Sequence, residues 1–495
     1  MRINRVYEMF GDKTAFYVVL ALTLAGGMLR FYSLGSQSFW IDEVYSATAA
    51  KGMLTHLVPY MPGGSVYERD ILNTAFITIS MAVFGVNEAA ARLPSAIFGT
   101  LMIPLAYIAA RKFFGNTAGA VTAYIITFSY VEIAWSRQAR MYQQLQFFYL
   151  LSLLLFYKYL EDRKTKTAVL TLIATAGAFL SHRFGFSLLL IYPAYAALDM
   201  KLGGRKMKMP QKTLVAAGLF IGLGLVFSEM YLHTISAVLS SSMNYLPAYV
   251  DYFKTAFPAS IYLAVVGLLL YWKDTRRPTL LCVLAFIIPF YFISYRIKLL
   301  GFRYAYFLLP FIIMFAAKAL TYVAKEIWGK RKTTAIAILI LLFSISGELS
   351  FTPQTTYYLE SRAPQPDFNS VYPHLKDNIK QGDTLIVDYP EVALWYGLKP
   401  DYWLAFSISG FPVETVLTAN KTHYAQTMTP AITSADELTG ILNETHGWLV
   451  LDSLAANRIP QDYWPILTNK TTWLPGPSKP GQAGAINLYR WGNDD

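Results

Sequence analysis

The chain has 495 residues, of which 55% are hydrophobic and 15% charged, and its formal net charge is +11. Soluble domains usually carry about 25% charged residues, so this composition argues against a soluble globular protein. The basic residues lie in short clusters between apolar segments, as in the loops of membrane proteins, which argues against a nucleic-acid-binding protein. Cys282 is the only cysteine and lies in an apolar run, which excludes disulfides and Cys-based metal sites.

Long apolar segments recur between residues 15 and 349, and each is a candidate membrane span. The first has no small-residue cleavage site and runs directly into Arg30, so we interpret it as a retained span and not as a signal peptide. The fold class that we predict is a mainly α-helical polytopic membrane protein, with residues 1–349 as its transmembrane domain and a long first external loop over residues 35–92. The predicted spans number about eleven and begin near residues 15, 93, 118, 143, 168, 184, 214, 257, 279, 304 and 334.

The segment Ile71–Phe84 is apolar but short, and polar residues interrupt it. If it does not cross the membrane, the short basic segments all fall on the cytoplasmic side together with the N-terminus, as the positive-inside rule requires. We therefore predict that this segment lies along the outer membrane face or dips into it, as an amphipathic interfacial helix does. The odd number of spans then places the C-terminal residues outside the cytoplasm.

The composition becomes polar and Pro-rich from about Ser350. Short strand-like runs at Thr384–Asp388, Trp448–Asp452 and Ile486–Trp491 alternate with helical patterns at Phe368–Lys380 and Ser434–Glu444. We predict that residues 350–495 form a small extracytoplasmic α/β domain, which is within the usual size of a domain.

Two adjacent carboxylates, Asp42 and Glu43, follow an aromatic stretch at the start of the first external loop. Adjacent carboxylates near a membrane repel each other and are partly desolvated, which suits a general base that takes a proton from a hydroxyl. The alternative is an ordinary solvated pair in which Asp42 caps the start of a helix.

Cations recur on the same predicted face of the membrane. Because charge close to the bilayer core is costly, such residues are usually paired or functional. Arginines present forked donors that match phosphate oxygens, so a shared phosphate site is one interpretation. The alternative is that each cation extends toward lipid headgroups. The residues concerned are Arg30, Arg92, Arg137, Arg140, His182, Arg183, Arg296, Lys298 and Arg303. Of these we assign Arg30, Arg92, Arg137, Arg140 and Arg303 to the phosphate site, and His182, with Tyr142, to the rest of the pocket.

Glu132 lies near the outer end of the third predicted span, close to Tyr142 in the sequence. It is either a second catalytic carboxylate or an ion-pair partner of Arg137 or Arg140, and we favour the pairing.

Several stretches in fixed order resemble the multi-spanning glycosyltransferases of the GT-C class, in the group of protein O-mannosyltransferases and lipid A aminoarabinose transferases. The resemblance is good over about residues 15–200 and weak in the C-terminal residues. The matching stretches are Arg30-Phe-Tyr-Ser-Leu, Phe39-Trp-Ile-Asp42-Glu43, Phe84-Gly, Ala91-Arg92-Leu-Pro-Ser-Ala-Ile-Phe-Gly99, Ser136-Arg-Gln-Ala-Arg140-Met-Tyr142 and Ser181-His182.

The resemblance implies a membrane enzyme that transfers one sugar, such as a mannose-like hexose, from a polyprenyl or dolichyl monophosphate to an acceptor hydroxyl on the external face. The acceptor would belong to a protein, a lipid or a glycan. Asp42 matches the family's catalytic aspartate and Glu43 the acidic residue after it, while Arg92 and Arg140 fall where the family has arginines. Asp42 would deprotonate the acceptor, with inversion at the anomeric carbon. No metal is required, although a divalent cation at Asp42 and Glu43 is left as an alternative.

One stretch departs from the family. Many relatives have a His-Pro-Pro-Leu-like stretch before the interfacial segment, whereas this chain has Glu68-Arg69-Asp70. We hypothesise that Arg69 contacts the donor phosphate and that Glu68 or Asp70 helps to bind the acceptor.

The second interpretation is a transporter or flippase of a lipid-linked sugar. It would use the same cations, but it predicts internal repeats and polar residues through the membrane midplane, and we see no repeat. An oligosaccharyltransferase is less favoured because the Trp-Trp-Asp-Tyr-Gly motif is absent from the C-terminal residues.

Overall fold

The computed structural model describes residues 7–202, 243–271, 275–328, 340, 343–353, 366–406, 412–418, 420–452, 456, 458–477 and 485–492. The predicted spans near residues 214 and 334 begin outside the described residues. The chain divides into two compact units. The helical unit comprises Met1–Tyr32, Asp70–Asn73 and Ser95–Thr356, and the loop–sheet unit comprises Ser33–Arg69, Thr74–Pro94 and Tyr357–Asp495. The division into domains at residue 349 stays a prediction.

Helices dominate the described residues. They are α1 Lys13–Phe31, α2 Ile41–His56, α3 Ile71–Phe84, α4 Glu88–Phe114, α5 Asn116–Phe128, α6 Tyr130–Ser136, α7 Tyr142–Asp162, α8 Thr165–Ser181, α9 Ser187–Lys201, α10 Leu246–Ala256, α11 Pro258–Tyr271, α12 Arg276–Tyr295, α13 Leu309–Trp328, α14 Phe368–Asn378, α15 Pro390–Trp395, α16 Ala435–Glu444 and α17 Tyr463–Lys470. Short 3₁₀ helices lie at Arg183–Phe186, Phe302–Leu308 and Val413–Thr415.

Apolar helices occupy the predicted spans within residues 7–202 and 243–328. By length and composition, four helices in the described ranges are able to cross a membrane. Helices α10 and α11 meet at an angle of 107°. They would add a fifth span if the two together form one bent membrane segment. Pro258 follows the bend, where a proline cannot continue the preceding helix. The mainly helical class is confirmed, whereas the count of eleven spans stays a prediction.

Helix α3 has the bounds predicted for the interfacial segment. Its 14 residues are about 21 Å long at 1.5 Å per residue, which is shorter than the roughly 30 Å hydrocarbon core. Asn73 and Thr74 are buried, while Ile79, Val83 and Phe84 are exposed. The helix thus turns polar groups toward protein and apolar groups outward, an orientation that suits a lipid surface.

Close helix approach in the helical unit depends on two glycines. A Cβ atom on Gly26 of α1 would lie 2.3 Å from the side chain of Ile103 in α4. A Cβ atom on Gly99 of α4 would lie 2.4 Å from Ser136 in α6 and 3.1 Å from Nε of Arg30. Small residues at these points let the backbones approach, as they do in membrane helix bundles. The same contacts surround the Arg30 side chain.

The C-terminal residues form a seven-stranded sheet in the order β3-β4-β2-β1-β5-β7-β6. Neighbouring strands from β4 to β5 are parallel, and β3, β7 and β6 pair antiparallel with their neighbours. The predicted α/β class of this region is therefore confirmed. The strands are β1 Thr384–Val387, β2 Tyr402–Leu404, β3 His423–Tyr424, β4 Thr429–Ile432, β5 Gly447–Asp452, β6 Thr472–Leu474 and β7 Ile486–Trp491.

Candidate active site

The two adjacent carboxylates lie in the first turn of α2, in the loop–sheet unit. The N-terminus of a helix favours negative charge, because the dipole and the first N–H groups point toward it. Glu43 is fully buried and Asp42 is half-buried. The backbone N–H of Trp40 donates to Oε2 of Glu43 at 3.4 Å. The two adjacent carboxylates therefore differ in solvent exposure, with Glu43 buried and Asp42 partly accessible.

Glu43 forms a buried two-point ion pair with Arg92 of α4. Nε of Arg92 donates to Oε1 at 2.8 Å and Nη2 donates to Oε2 at 2.9 Å. The two side chains are 0% and 1% exposed, respectively. A guanidinium and a carboxylate in this geometry make parallel charge-assisted hydrogen bonds. Both carboxylate oxygens of Glu43 are thus engaged.

Arg92 also holds the loop that precedes α2. Nη1 donates to the carbonyls of Leu34 and Gln37 at 3.0 and 2.7 Å, and Nη2 donates to Ser38 O at 2.9 Å. The guanidinium lies over the ring of Phe39, 5.0 Å from its centroid. A guanidinium has five N–H donors, and these contacts with those to Glu43 use all five. The predicted phosphate contact of Arg92 is not tested, and the geometry favours a role in holding the loop and Glu43.

Arg30 is fully buried in the helical unit and binds main-chain carbonyls. Its Nη1 donates to Gly26 O at 3.0 Å and to Thr127 O at 3.2 Å, and its Nη2 donates to Ile126 O at 3.0 Å. The last two carbonyls belong to the end of α5, where helix carbonyls lack partners within the helix. Arg30 therefore joins α1 to the end of α5.

Arg137 donates hydrogen bonds to the main-chain carbonyls at the end of α1. Its Nη1 donates to the carbonyls of Leu29, Arg30 and Tyr32 at 3.3, 3.1 and 2.7 Å. A cation at a helix C-terminus is also favoured by the dipole. The phosphate contacts predicted for Arg30 and Arg137 stay predictions.

Four predicted residues, Arg140, Tyr142, His182 and Arg303, lie together within the helical unit. With Tyr304, which was not predicted, they form what we call the arginine–aromatic cluster. The Arg140 guanidinium lies 5.9 Å from the Tyr142 ring centroid, and that of Arg303 lies 5.4 Å from the Tyr304 centroid. The ring of Tyr142 is 5.7 Å from His182 and 6.5 Å from Tyr304. Both distances are within the range of about 6 Å over which a cation is attracted to the face of an aromatic ring. The cluster gathers residues from three separate turns of the chain.

Glu132 is buried in a polar network and accepts hydrogen bonds from two neutral side chains. Gln146 Nε2 donates to its Oε1 at 2.7 Å, and the Tyr306 hydroxyl lies 2.7 Å from its Oε2. The same hydroxyl is 2.6 Å from Gln143 Oε1. The buried Arg30 guanidinium also interacts electrostatically with Glu132. The predicted pairing with Arg137 or Arg140 is thus replaced by hydrogen bonds to Tyr306 and Gln146.

The predicted site residues form separate groups in the two units. Asp42, Glu43 and Arg92 belong to the loop–sheet unit, whereas the arginine–aromatic cluster belongs to the helical unit, and a shared pocket stays a prediction. Arg69 is exposed in the loop–sheet unit. Within the part of the chain that the structure describes, no group of three or more His, Cys, Asp or Glu side chains is arranged to hold a metal ion. The alternative of a divalent cation at Asp42 and Glu43 stays untested.

Sequence reasoning missed several residues of these groups. Gln143 and Gln146 are polar residues within a predicted span, which was a usable signal because buried polar groups in membrane helices are costly. Tyr304 and Tyr306 lie beside Arg303, but aromatic residues are too frequent in this chain for that to be informative.

Comparison with known proteins agrees with this architecture. Residues 70–228 match the family of dolichyl-phosphate-mannose-protein mannosyltransferases. A protein of Aquifex aeolicus is 31% identical over 159 residues, covering 31% of this chain and 32% of that protein. An undecaprenyl phosphate-alpha-4-amino-4-deoxy-L-arabinose arabinosyl transferase of Pseudomonas fluorescens is 28% identical over 214 residues, covering 41% of this chain and 36% of the relative. The chain therefore spans about a third of the length of the curated relatives it matches.

Two solved structures share the fold over most of the chain. ArnT from Cupriavidus metallidurans bound to undecaprenyl phosphate has a TM-score of 0.62 at 17% identity, covering 97% of this chain and 98% of that one. The oligosaccharyltransferase of Archaeoglobus fulgidus has a TM-score of 0.57 at 12% identity, covering 88% of this chain and 69% of that one. The chain is thus similar to the GT-C class of membrane glycosyltransferases, and within it to the group of protein mannosyltransferases and aminoarabinose transferases.

Proposed function

We propose that the protein is a glycosyltransferase that moves one sugar from a polyprenyl or dolichyl monophosphate to an acceptor hydroxyl on the external face of the membrane. The observation that carries this proposal is the buried Glu43–Arg92 ion pair, which fixes the start of α2 and leaves Asp42 half-buried beside it. The similarity to transferases with lipid-phosphate donors supports the same reaction class.

Asp42 is the general base of the proposed reaction. A base must offer an oxygen to the acceptor hydroxyl, and both oxygens of Glu43 are engaged by Arg92. Asp42 takes the hydroxyl proton while the acceptor oxygen bonds to the anomeric carbon. The bond from that carbon to the carrier phosphate breaks, its electron pair stays on the phosphate, and the anomeric configuration inverts.

The arginine–aromatic cluster is the proposed site for the carrier phosphate. Arg140 and Arg303 each lie over a tyrosine ring within the range of a cation–π interaction, which attracts the guanidinium toward the ring. Guanidinium groups held in advance stabilise the charge that develops on a leaving phosphate. The relative ArnT structure was solved with undecaprenyl phosphate bound, which supports a lipid phosphate as the donor carrier.

The relatives differ from one another in the donor sugar and in the acceptor. The family matched by residues 70–228 uses mannose, whereas the Pseudomonas relatives use an aminoarabinose. We propose a single mannose-like hexose or related sugar, with a lipid, protein or glycan acceptor, and with the C-terminal residues outside the cytoplasm.

The test is transfer by the purified protein in lipid nanodiscs. Undecaprenyl-phosphate mannose, glucose and aminoarabinose are supplied in turn with lipid A and with cell-surface protein extracts as acceptors. We expect labelled product with one donor, release of undecaprenyl phosphate in equal amount, and an inverted anomeric configuration by NMR. In sealed proteoliposomes, movement of intact donor from one leaflet to the other without release of the phosphate would instead establish the transporter.

A further inference from the structure

A buried hydrogen-bond chain joins the Asp42 helix to the C-terminal sheet region within the loop–sheet unit. The hydroxyls of Tyr45 in α2 and Tyr424 in β3 are 2.5 Å apart, and the Tyr424 hydroxyl donates to Oε1 of Glu391 at 3.2 Å. Each hydroxyl has a single proton. Tyr45 also forms a side-chain hydrogen bond with Glu391, so both hydroxyls interact with this carboxylate. These hydrogen bonds therefore link α2 to Tyr424 and to the Glu391 carboxylate.

Tyr424 and Glu391, at the end of the hydrogen-bond chain away from α2, are buried and closely packed. Tyr424 is 2% exposed and Glu391 is 1% exposed. The Tyr424 ring packs against Trp403 of β2 with centroids 4.6 Å apart. Burial, and then the charge of Glu391, raise the pKa of the Tyr45 hydroxyl well above its ordinary value, so it keeps its proton at neutral pH.

The geometry of a helix explains how these hydrogen bonds affect the orientation of Asp42. Successive residues are rotated by about 100°, so Glu43 and Tyr45 point to nearly opposite sides of α2, about 200° apart. Arg92 holds the Glu43 side and Tyr424 holds the Tyr45 side. Two attachments on opposite sides fix the rotation of the helix about its axis. The direction of the Asp42 side chain is fixed with it.

The short helix α15 strengthens the arrangement, because it contributes to both attachments. Its first turn carries Glu391, and its last residue, Trp395, packs on Phe39 with ring centroids 5.2 Å apart. The Trp395 indole N–H also donates to Oε1 of Glu88 at 3.1 Å, at the start of the helix that carries Arg92. The C-terminal region thus holds the start of α2 and the start of α4.

We propose that Tyr424 and Glu391 are positioning residues for sugar transfer, which act through Tyr45 to set the orientation of Asp42. The inference rests on the proposed function, and it gives the C-terminal region a part in the reaction. It predicts that a change more than 300 residues after Asp42 in sequence lowers the chemical rate without weakening donor binding.

The test compares Tyr424→Phe with Tyr463→Phe in the full-length protein. Both tyrosines are buried in the same unit, but the Tyr463 hydroxyl has no hydrogen-bond partner among the residues that the structure describes, so its removal is a matched control. A misplacement of about 1 Å can cost roughly a hundredfold in rate. We expect Tyr424→Phe to lower kcat by about 10- to 100-fold with the KM for the lipid donor within about twofold, and Tyr463→Phe to leave both unchanged.

A second measurement separates this inference from the proposed function. Amide hydrogen exchange should become faster in α2 for Tyr424→Phe and should stay at the wild-type rate for Tyr463→Phe. Glu391→Gln, whose amide oxygen can still accept from Tyr424, should be milder than Glu391→Leu in both assays. Faster exchange with no activity in the wild type would contradict only the proposed function. Wild-type kcat and exchange in Tyr424→Phe would overturn the positioning role.

Discussion

Replacing both members of the buried ion pair should cost much less stability than the two single replacements added together. Glu43→Leu removes the carboxylate that accepts two N–H bonds from the Arg92 guanidinium, which is 1% exposed. Arg92→Met leaves the Glu43 carboxylate with the 3.4 Å contact from the Trp40 N–H. Breaking a buried pair from one side typically costs about 3–5 kcal/mol, because a buried charge remains without compensation.

The double variant removes both charges together. It still loses the hydrogen bonds from Arg92 to the carbonyls of Leu34, Gln37 and Ser38, at about 1 kcal/mol each. Each single variant breaks the pair at about 3–5 kcal/mol, and Arg92→Met also loses the three carbonyl bonds at about 3 kcal/mol in total, so the two single costs add to about 9–13 kcal/mol. The double variant should cost about 3–6 kcal/mol. The coupling energy between the two positions should therefore exceed about 2 kcal/mol.

The assay is a double-mutant cycle on unfolding free energies, measured by reversible denaturant titration in detergent micelles. The control cycle uses the ion pair between Lys112 and Glu161, whose side chains are 42% and 46% exposed. Exposed pairs contribute about 0–1 kcal/mol, so that coupling should be small. A Glu43–Arg92 coupling within about 0.5 kcal/mol of zero would refute the buried-pair reasoning.

Three further predictions concern other groups. Tyr306→Phe leaves Oε2 of Glu132 without its hydroxyl donor, so the free energy of unfolding in the same titration should fall by about 1–3 kcal/mol. Arg140→Gln should lower kcat/KM for the lipid donor by about 10- to 100-fold, since a hydrogen bond to a charged group contributes about 1.5–3 kcal/mol, and Arg140→Lys should restore part of it. Burial, and then the charge of Asp452, raise the pKa of Asp388 well above its ordinary value. The folded state keeps that proton where the unfolded chain has lost it, so stability should fall as the pH rises from about 4 through the raised pKa, and Asp388→Asn should flatten the pH dependence of the thermal midpoint.

Patterns that are local in sequence were predictable from the residues alone. Helix α3 begins and ends at the predicted residues, and strands appear in the predicted runs at Thr384–Asp388, Trp448–Asp452 and Ile486–Trp491. Strands β2, β3, β4 and β6 have two to four residues, which is too short for alternation to be visible. These short strands are recognisable only from their hydrogen bonds to neighbouring strands of the sheet.

The partners of the charged residues were not predictable in the same way. Glu43 and Arg92 are 49 residues apart, and several other arginines were equally plausible partners in sequence. Arg30 and Arg137 bind helix-end carbonyls, which every helix offers and no sequence pattern marks. The chain from Tyr45 to Tyr424 joins residues 379 apart, and a tyrosine has no local feature that reveals such a partner.

The central claim is that Asp42 removes the acceptor proton. The most direct measurement is the single-turnover rate of sugar transfer from the lipid donor for the wild type, Asp42→Asn and Asp377→Asn, the last being an exposed aspartate of α14. General bases typically contribute about 10²- to 10⁴-fold, so Asp42→Asn should lose at least about a hundredfold in rate while still binding the donor. Asp377→Asn should match the wild type. Transfer by Asp42→Asn at the wild-type rate would contradict the account.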